Sequence, residues 1–108
     1  MAEVGDHAVV FITASSPAEG TRIADALVHE KLAACVNQVP GVVSTYWWQG
    51  KVERATEVLL IAKTGRPLVE PLIARVKELH SYAVPEVIAL RIEHGNPDYL
   101  KWIDEVTG

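Results

Sequence analysis

The order of the predicted elements, β-α-β-β-α-β followed by a short C-terminal helix, indicates an α+β fold of the ferredoxin-like sandwich class. Two segments carry apolar residues at helical spacing, and they alternate with four segments rich in β-branched and apolar residues. In addition, residues 42–64 have the pattern of one long hairpin. We assign the whole chain, residues 1–108, to a single domain.

The first strand and the first helix are predicted from the N-terminal third of the chain. Residues 8–14, AVVFITA, form an apolar strand. Ser16 is expected at the N-cap of the helix, Pro17 at its first position and Glu19 in a capping box. Apolar residues at helical spacing continue this helix, which we expect to end near Leu32.

The long hairpin follows the first helix. The second strand begins at Cys35, and Pro40-Gly41 is predicted to interrupt it as a bend or bulge because proline cannot donate to a ladder. Gln49-Gly50 supplies the turn. The two arms of the hairpin are residues 42–48 and 51–64.

The remaining elements complete the predicted sheet. Apolar residues between Val69 and Leu79 recur at helical spacing and predict a second helix. Residues 80–86 connect it to a fourth strand, residues 87–92. Asn96 and the Pro-Asp pair after it are typical of a helix start, and a short third helix is expected from there.

The pattern of apolar residues also predicts self-association. The first, third and fourth strands are apolar on both faces, whereas two amphipathic helices cover only one face of the sheet. The third helix is too short to cover the rest. We therefore expect the bare faces to pack against other copies of the chain in an obligate homo-oligomer.

Composition excludes several classes of partner. The net charge of −4 argues against nucleic-acid binding, which usually requires a basic patch. No apolar run approaches the roughly 20 residues that span a bilayer, so we expect no membrane insertion. The first six residues, MAEVGD, lack the features of a signal peptide, and a single cysteine cannot form an internal disulfide. These observations favour the cytoplasm.

Several ordered motifs resemble one known family. They are KLAAC, NQVPGVVSTYWWQGKVE, EVLLIAKT, HSYAVPEVIAL and GNPDYLKWI, and they extend over residues 9–103. Together they resemble the CutA family of divalent-cation tolerance proteins. The resemblance implies a ferredoxin-like fold, a stable cytoplasmic homotrimer similar in architecture to PII signalling proteins, and a link to copper or another divalent cation.

The resemblance also implies metal ligands, which this chain retains only in part. The ligands proposed for copper-binding members are a thiol on the first strand and two histidines before a Pro-Tyr step. Here the corresponding positions carry Ile12, Leu79 and His80, with Ser81 where the proline would stand. His80 is therefore the candidate metal ligand. The alternative is that His80 interacts with the dipole at the end of the second helix.

A second candidate site is a cleft that could bind a small ligand. Glu57 and Lys63 are six residues apart on a strand and therefore share a face, either at a subunit interface with a partner each or in an intersubunit cleft. The other residues expected in that cleft are Trp48, His80, Tyr82 and Glu86. Trp47 and Trp48 point to opposite faces, and interface packing is the alternative role for both.

The other reactive side chains suggest no catalytic site. Cys35 is expected to be a small buried hydrophobe, and His7, His29 and His94 to lie on the surface. We find no nucleophile elbow, phosphate-binding loop or dinucleotide fingerprint, so an enzyme is not expected. The leading interpretation is a homotrimeric CutA-like protein that binds a metal ion or small ligand in a tolerance or sensing role. The alternative is a trimeric scaffold for a protein partner, with metal binding incidental.

Overall fold

The computed structural model describes residues 6–108 and has the predicted element order. The expectation about a signal peptide concerns mainly residues 1–5, which lie outside this range. The sheet is antiparallel with strand order β2-β3-β1-β4, which confirms the α+β class. The elements are β1 (His7–Ala14), α1 (Pro17–His29), β2 (Cys35–Trp48), β3 (Lys51–Gly65), a 3-10 turn (Arg66–Leu68), α2 (Val69–Leu79), β4 (Val87–Ile92) and α3 (Pro97–Thr107).

The core lies between one face of the sheet and the helices α1 and α2. Alternate residues of β1 and β3 point into it, and both helices contribute their apolar stripes. The largest fully buried side chains of this cluster are Ile12, Ile23, Leu27, Leu60 and Leu72. Ile12 is therefore a core residue. No helix among residues 6–108 is long and apolar enough to cross a membrane.

Ser16 is the N-cap of α1, as predicted, but the helix ends earlier than expected. Ser16 Oγ accepts a hydrogen bond from the Glu19 amide at 3.1 Å. Lys31 then takes a left-handed conformation with φ of 59°. The amides of Lys31 and Leu32 return to the carbonyls of Val28 and Leu27, at 3.1 and 2.9 Å. This Schellman arrangement ends α1 at His29 rather than near Leu32.

The hairpin of β2 and β3 has the predicted bulge and turn. The register shifts between Val39 and Val42, and Gly41 has φ of 76°. Gln49 and Gly50 both have positive φ, which is the requirement of a type I′ turn. The distal part of the hairpin is mostly exposed, and the molecule is 53 Å long against widths of 25 and 22 Å.

The second face of the sheet is covered only in part, by α3. The expectation that His7 lies on the surface is wrong, because His7 is 2% exposed and its Nε2 lies 2.8 Å from Asp104 Oδ1 of α3. Ile103 of the same helix is completely buried. On the edge strand β4, Ile88 and Leu90 remain 53% and 57% exposed. An apolar part of this face is therefore not covered by any element of residues 6–108.

Candidate functional site

A cleft of about 770 Å³ lies between the hairpin and the connector that joins α2 to β4. Its walls combine aromatic rings, hydroxyl groups and carboxylates. The lining residues are Thr13, Ser44, Thr45, Tyr46, Trp47, Trp48, Glu57, Ser81, Tyr82, Ala83, Val84 and Glu86. This volume is within the range of roughly 300–1,000 Å³ that is typical of small-molecule sites.

A buried carboxylate on β3 is the central polar group of the cleft. Glu57 is 7% exposed, and its Oε2 accepts a hydrogen bond from the Tyr82 hydroxyl at 2.9 Å. Burial, reinforced by the hydrogen bond and charge of Glu57, raises the pKa of Tyr82 to about 12. The phenol therefore stays protonated at neutral pH and donates its proton to Glu57.

The connector is held in place by His80, whose ring is buried beneath Tyr82. His80 Nε2 lies 2.7 Å from the carbonyl of Thr13, and Nδ1 lies 3.0 Å from the amide of Tyr82. A carbonyl can only accept and an amide N–H can only donate, so Nε2 carries the proton and Nδ1 accepts. The rings of His80 and Tyr82 are in contact, with their centroids 4.7 Å apart.

These contacts do not fit His80 as a metal ligand in this conformation. Its one lone pair is directed at the Tyr82 amide, so a metal ion could bind only if the connector moved. Within residues 6–108, no group of three or more His, Cys, Asp or Glu side chains is placed to hold a metal ion. Copper and zinc prefer imidazole or thiolate ligands, and the lining residues that the structure describes supply neither.

Glu19 supports the connector from the other side. Its Oε1 accepts from the amide and hydroxyl of Ser15 at 2.8 and 2.9 Å, and its Oε2 accepts from the amide of Ser81 at 2.9 Å. Burial alone raises the pKa of this carboxyl, but the hydrogen bonds from Ser15 and Ser81 outweigh burial and lower the pKa to about 2. The capping box differs from the predicted one, since Glu19 bonds Ser15 rather than the N-cap amide.

Four of the six predicted cleft residues line the cleft, and His80 and Lys63 do not. Trp48, Glu57, Tyr82 and Glu86 line the cleft, and His80 lies behind it. Lys63 does share a sheet face with Glu57, as predicted. However, it lies six residues along β3, about 20 Å away in an extended strand.

Lys63 has its own surroundings at the far end of β3. It contacts the side chain of Asn37, and Cys35 is its cross-strand neighbour. Cys35 is half-buried, which corrects the expectation of a buried hydrophobe. Burial, together with the neighbouring Cys35 thiol, raises the pKa of Tyr99. Tyr99 belongs to α3, so this helix also packs beside Cys35.

Other lining residues were not predicted from the sequence. Ser44, Tyr46 and Trp48 follow Val42 at two-residue spacing on β2, and Val42 lies opposite Glu57 in the register. The two-residue period of a strand therefore places Ser44 and Tyr46 on the face of Glu57, a signal that was available in the sequence. Thr13, Ser81 and Val84 carry no such signal.

The fold and the cleft define a class of protein, namely a small ferredoxin-like α+β protein whose extended hairpin flanks a ligand-sized cleft. Comparison with known proteins identifies the family within this class. A family profile described as CutA1 divalent ion tolerance protein matches residues 8–106. The chain belongs to the CutA family of divalent-cation tolerance proteins.

Individual relatives agree with this assignment. The chain is 52% identical to the divalent-cation tolerance protein CutA of Thermus thermophilus over 100 residues, 93% of this chain and 97% of that protein. It is 50% identical to the chloroplastic protein CutA 1 of Oryza sativa over 99 residues, 92% of this chain but 56% of that protein. The chain thus spans about half the length of the plant relatives.

Solved structures show the same fold. The crystal structure of CutA1 from Oryza sativa superposes with a TM-score of 0.94 at 48% identity, covering 96% of this chain and 95% of the other. CutA1 of Thermus thermophilus gives 0.92 at 51% identity, with 94% and 99% covered.

Proposed function

We propose that the chain is a homotrimeric cytoplasmic protein of divalent-cation tolerance or response that binds a metal ion or small ligand in the Glu57–Tyr82 cleft. The observation that carries the proposal is a buried carboxylate, fixed by Tyr82, in a cavity of ligand size. The family supports the cation link, since the Thermus thermophilus relative is named for divalent-cation tolerance. The proposed role is binding, not catalysis.

The trimer, with a PII-like architecture, is supported by the uncovered apolar face. Ile88 and Leu90 are more than half exposed, and hydrophobic residues of that size seldom remain so in a contiguous patch of a monomer. Sedimentation velocity at micromolar concentration should give a mass of about 35 kDa, three times the chain mass of 11.8 kDa. A monodisperse monomer would contradict the assembly.

Binding of divalent cations is tested by titration of copper(II) and zinc(II) against a competing chelator. We expect binding to depend on Glu57, because the His80 lone pair is engaged. Glu57→Gln should therefore lose the site, and Glu105→Gln, an exposed acid on α3, should keep it. Weak binding that is the same in all three proteins would mean that the chain has no metal site in the cleft. A site lost only in His80→Ala would restore the histidine as ligand.

The cytoplasmic location is proposed from the single cysteine of the chain. Relatives differ in location, since the rice protein is named as chloroplastic and the Archaeoglobus fulgidus protein as periplasmic. Fractionation of the native organism with an antibody to the chain tests the proposal. Recovery in a membrane-enclosed compartment other than the cytoplasm would contradict it.

A trimeric scaffold that binds a protein partner is the second candidate function. The hairpin and the connector carry large apolar side chains that are strongly exposed in the single chain, namely Val43 at 63%, Trp47 at 75%, Val52 at 58% and Val84 at 71%. Aromatic residues are enriched at protein interfaces. A partner that co-purifies with the wild type but not with Trp47→Ser, combined with loose metal binding, would favour this function.

A further inference from the structure

We propose that the Glu57–Tyr82 cleft binds organic ammonium ions, such as an alkylamine in its protonated form. This inference rests on the proposed function, for which it names a class of small ligand. The charged residues that line the cleft are both acids, Glu57 and Glu86, and the described lining contains no Lys, Arg or His. The cleft therefore attracts cations and disfavours anions.

The polar atoms at the centre of the cleft are hydrogen-bond acceptors. Glu57 Oε2 is occupied by the Tyr82 hydroxyl, whereas Oε1 has no hydrogen-bond partner among residues 6–108. Since no buried polar side-chain atom of those residues is left without a partner, Oε1 must be accessible to solvent, and Glu57 is one of the residues that line the cleft. The Tyr82 hydroxyl donates its only proton to Glu57, so its oxygen can only accept further hydrogen bonds. A ligand that binds at these two oxygens has to bring N–H or O–H donors.

The aromatic walls distinguish an organic cation from a metal ion. Tyr46, Trp47, Trp48 and Tyr82 line the same cleft as the acceptors, and the faces of such rings attract ammonium groups and their alkyl chains. A hydrated metal ion gains little from indole rings, and the imidazole and thiolate ligands that copper and zinc prefer are missing from the described lining. The cavity of about 770 Å³ is also far larger than a single ion needs.

Three probes of the same chain length and different charge test the inference. Butylammonium, butan-1-ol and butyrate are titrated into the full-length ¹⁵N-labelled protein, and the indole N–H resonance of Trp48 is followed. We expect saturable binding of butylammonium, an affinity for butan-1-ol about ten-fold weaker, and no shift with butyrate, because only the amine can form an ion pair with Glu57.

Matched variants locate the interaction. Glu57→Gln should weaken butylammonium about ten-fold and butan-1-ol far less, because only the amine loses an ion pair, while Glu105→Gln changes neither. Tyr46→Leu should weaken butylammonium, because Tyr46 lies close enough to Tyr82 to affect its pKa, whereas Tyr99→Leu on α3, also 40% exposed, should not. Equal affinity for the amine and the alcohol, tighter binding of butyrate, no binding at all, or an affinity that Glu57→Gln leaves unchanged would overturn the inference.

The chelator titration separates this inference from the proposed function. A Glu57-dependent divalent-cation site in a protein that ignores butylammonium would leave the proposed function standing and overturn the inference. Binding of butylammonium by a protein that shows no divalent-cation site and sediments as a monomer would overturn the proposed function and leave the inference standing.

Discussion

Removing the Tyr82 hydroxyl should destabilise the protein by about 2 kcal/mol per subunit at pH 8. The substitution Tyr82→Phe leaves the buried Glu57 carboxylate without its 2.9 Å hydrogen bond. A hydrogen bond to a charged group contributes roughly 1.5–3 kcal/mol. The pKa of Tyr82 is raised from 10.0 to about 12 mainly by burial and then by the hydrogen bond and charge of Glu57, so the protonated hydroxyl is the form that the fold stabilises.

The pH dependence of this effect has a definite sign. Because folding raises the pKa of Tyr82, the stabilisation is fully present below pH 10.0 and is lost as the pH rises through about 12. The difference in free energy of unfolding between the wild type and Tyr82→Phe should therefore shrink as the pH rises from 10.0 to about 12. Groups that titrate equally in both proteins cancel in the difference, so the difference isolates Tyr82.

Guanidinium unfolding at a fixed protein concentration measures the effect, since the stability of an oligomer depends on concentration. Both proteins are unfolded at pH 8, 10, 11 and 12. Tyr46→Phe is the matched control, because Tyr46 is 40% exposed and its hydroxyl has no hydrogen bond within residues 6–108, so a change below about 0.5 kcal/mol is expected. A Tyr82→Phe protein as stable as the wild type at pH 8, or a difference that persists at pH 12, would refute the reasoning.

Three other substitutions test the fold and the assembly. Glu19→Gln should lower the free energy of unfolding by about 2–3 kcal/mol at pH 7. Because folding lowers the pKa of Glu19 from 4.5 to about 2, its stabilisation is lost as the pH falls through this window, and the variant should lack that part of the acid unfolding. An unchanged acid transition would contradict this. Leu90→Asp should convert the trimer to a monomer in sedimentation velocity, whereas Val28→Asp, exposed on α1, should not; a Leu90→Asp trimer would mean that this face is not the interface. Lys31→Gly should raise the free energy of unfolding by about 1 kcal/mol because Lys31 has φ of 59°, and a loss of stability would show that its side chain contributes more than the strain costs.

Local sequence signals predicted the elements that depend on neighbouring residues. The cap at Ser16, the bulge at Pro40-Gly41 and the turn at Gln49-Gly50 all occur where expected. Each is fixed by the steric or hydrogen-bonding properties of one or two residues, so a short window of sequence contains the whole cause.

Features that depend on distant residues were predicted poorly. His7 is buried because Asp104, 97 residues away, folds back over the start of β1, and Cys35 meets Tyr99 of the same helix. A histidine at the start of a strand gives no local sign of this. The cleft was predicted at Trp48 and Glu57 on the strands and at Tyr82 and Glu86 in the connector, and it was missed at Thr13, which no local pattern marks.

The hydrogen bonds around His80 indicate why a single histidine can be kept at this position without serving as a metal ligand. The Thr13 carbonyl fixes the ring through Nε2, Nδ1 fixes the Tyr82 amide, and the Tyr82 hydroxyl then reaches Glu57. Removing His80 would free the connector and with it the hydroxyl that orients the buried carboxylate. A metal ion at Nδ1 would act in the same direction, because it would compete with the Tyr82 amide for one lone pair. A metal ion bound to His80 would therefore disturb the connector that orients Glu57. For this reason the hydrogen bonds favour the cleft at Glu57, rather than His80, as the place where a cation binds.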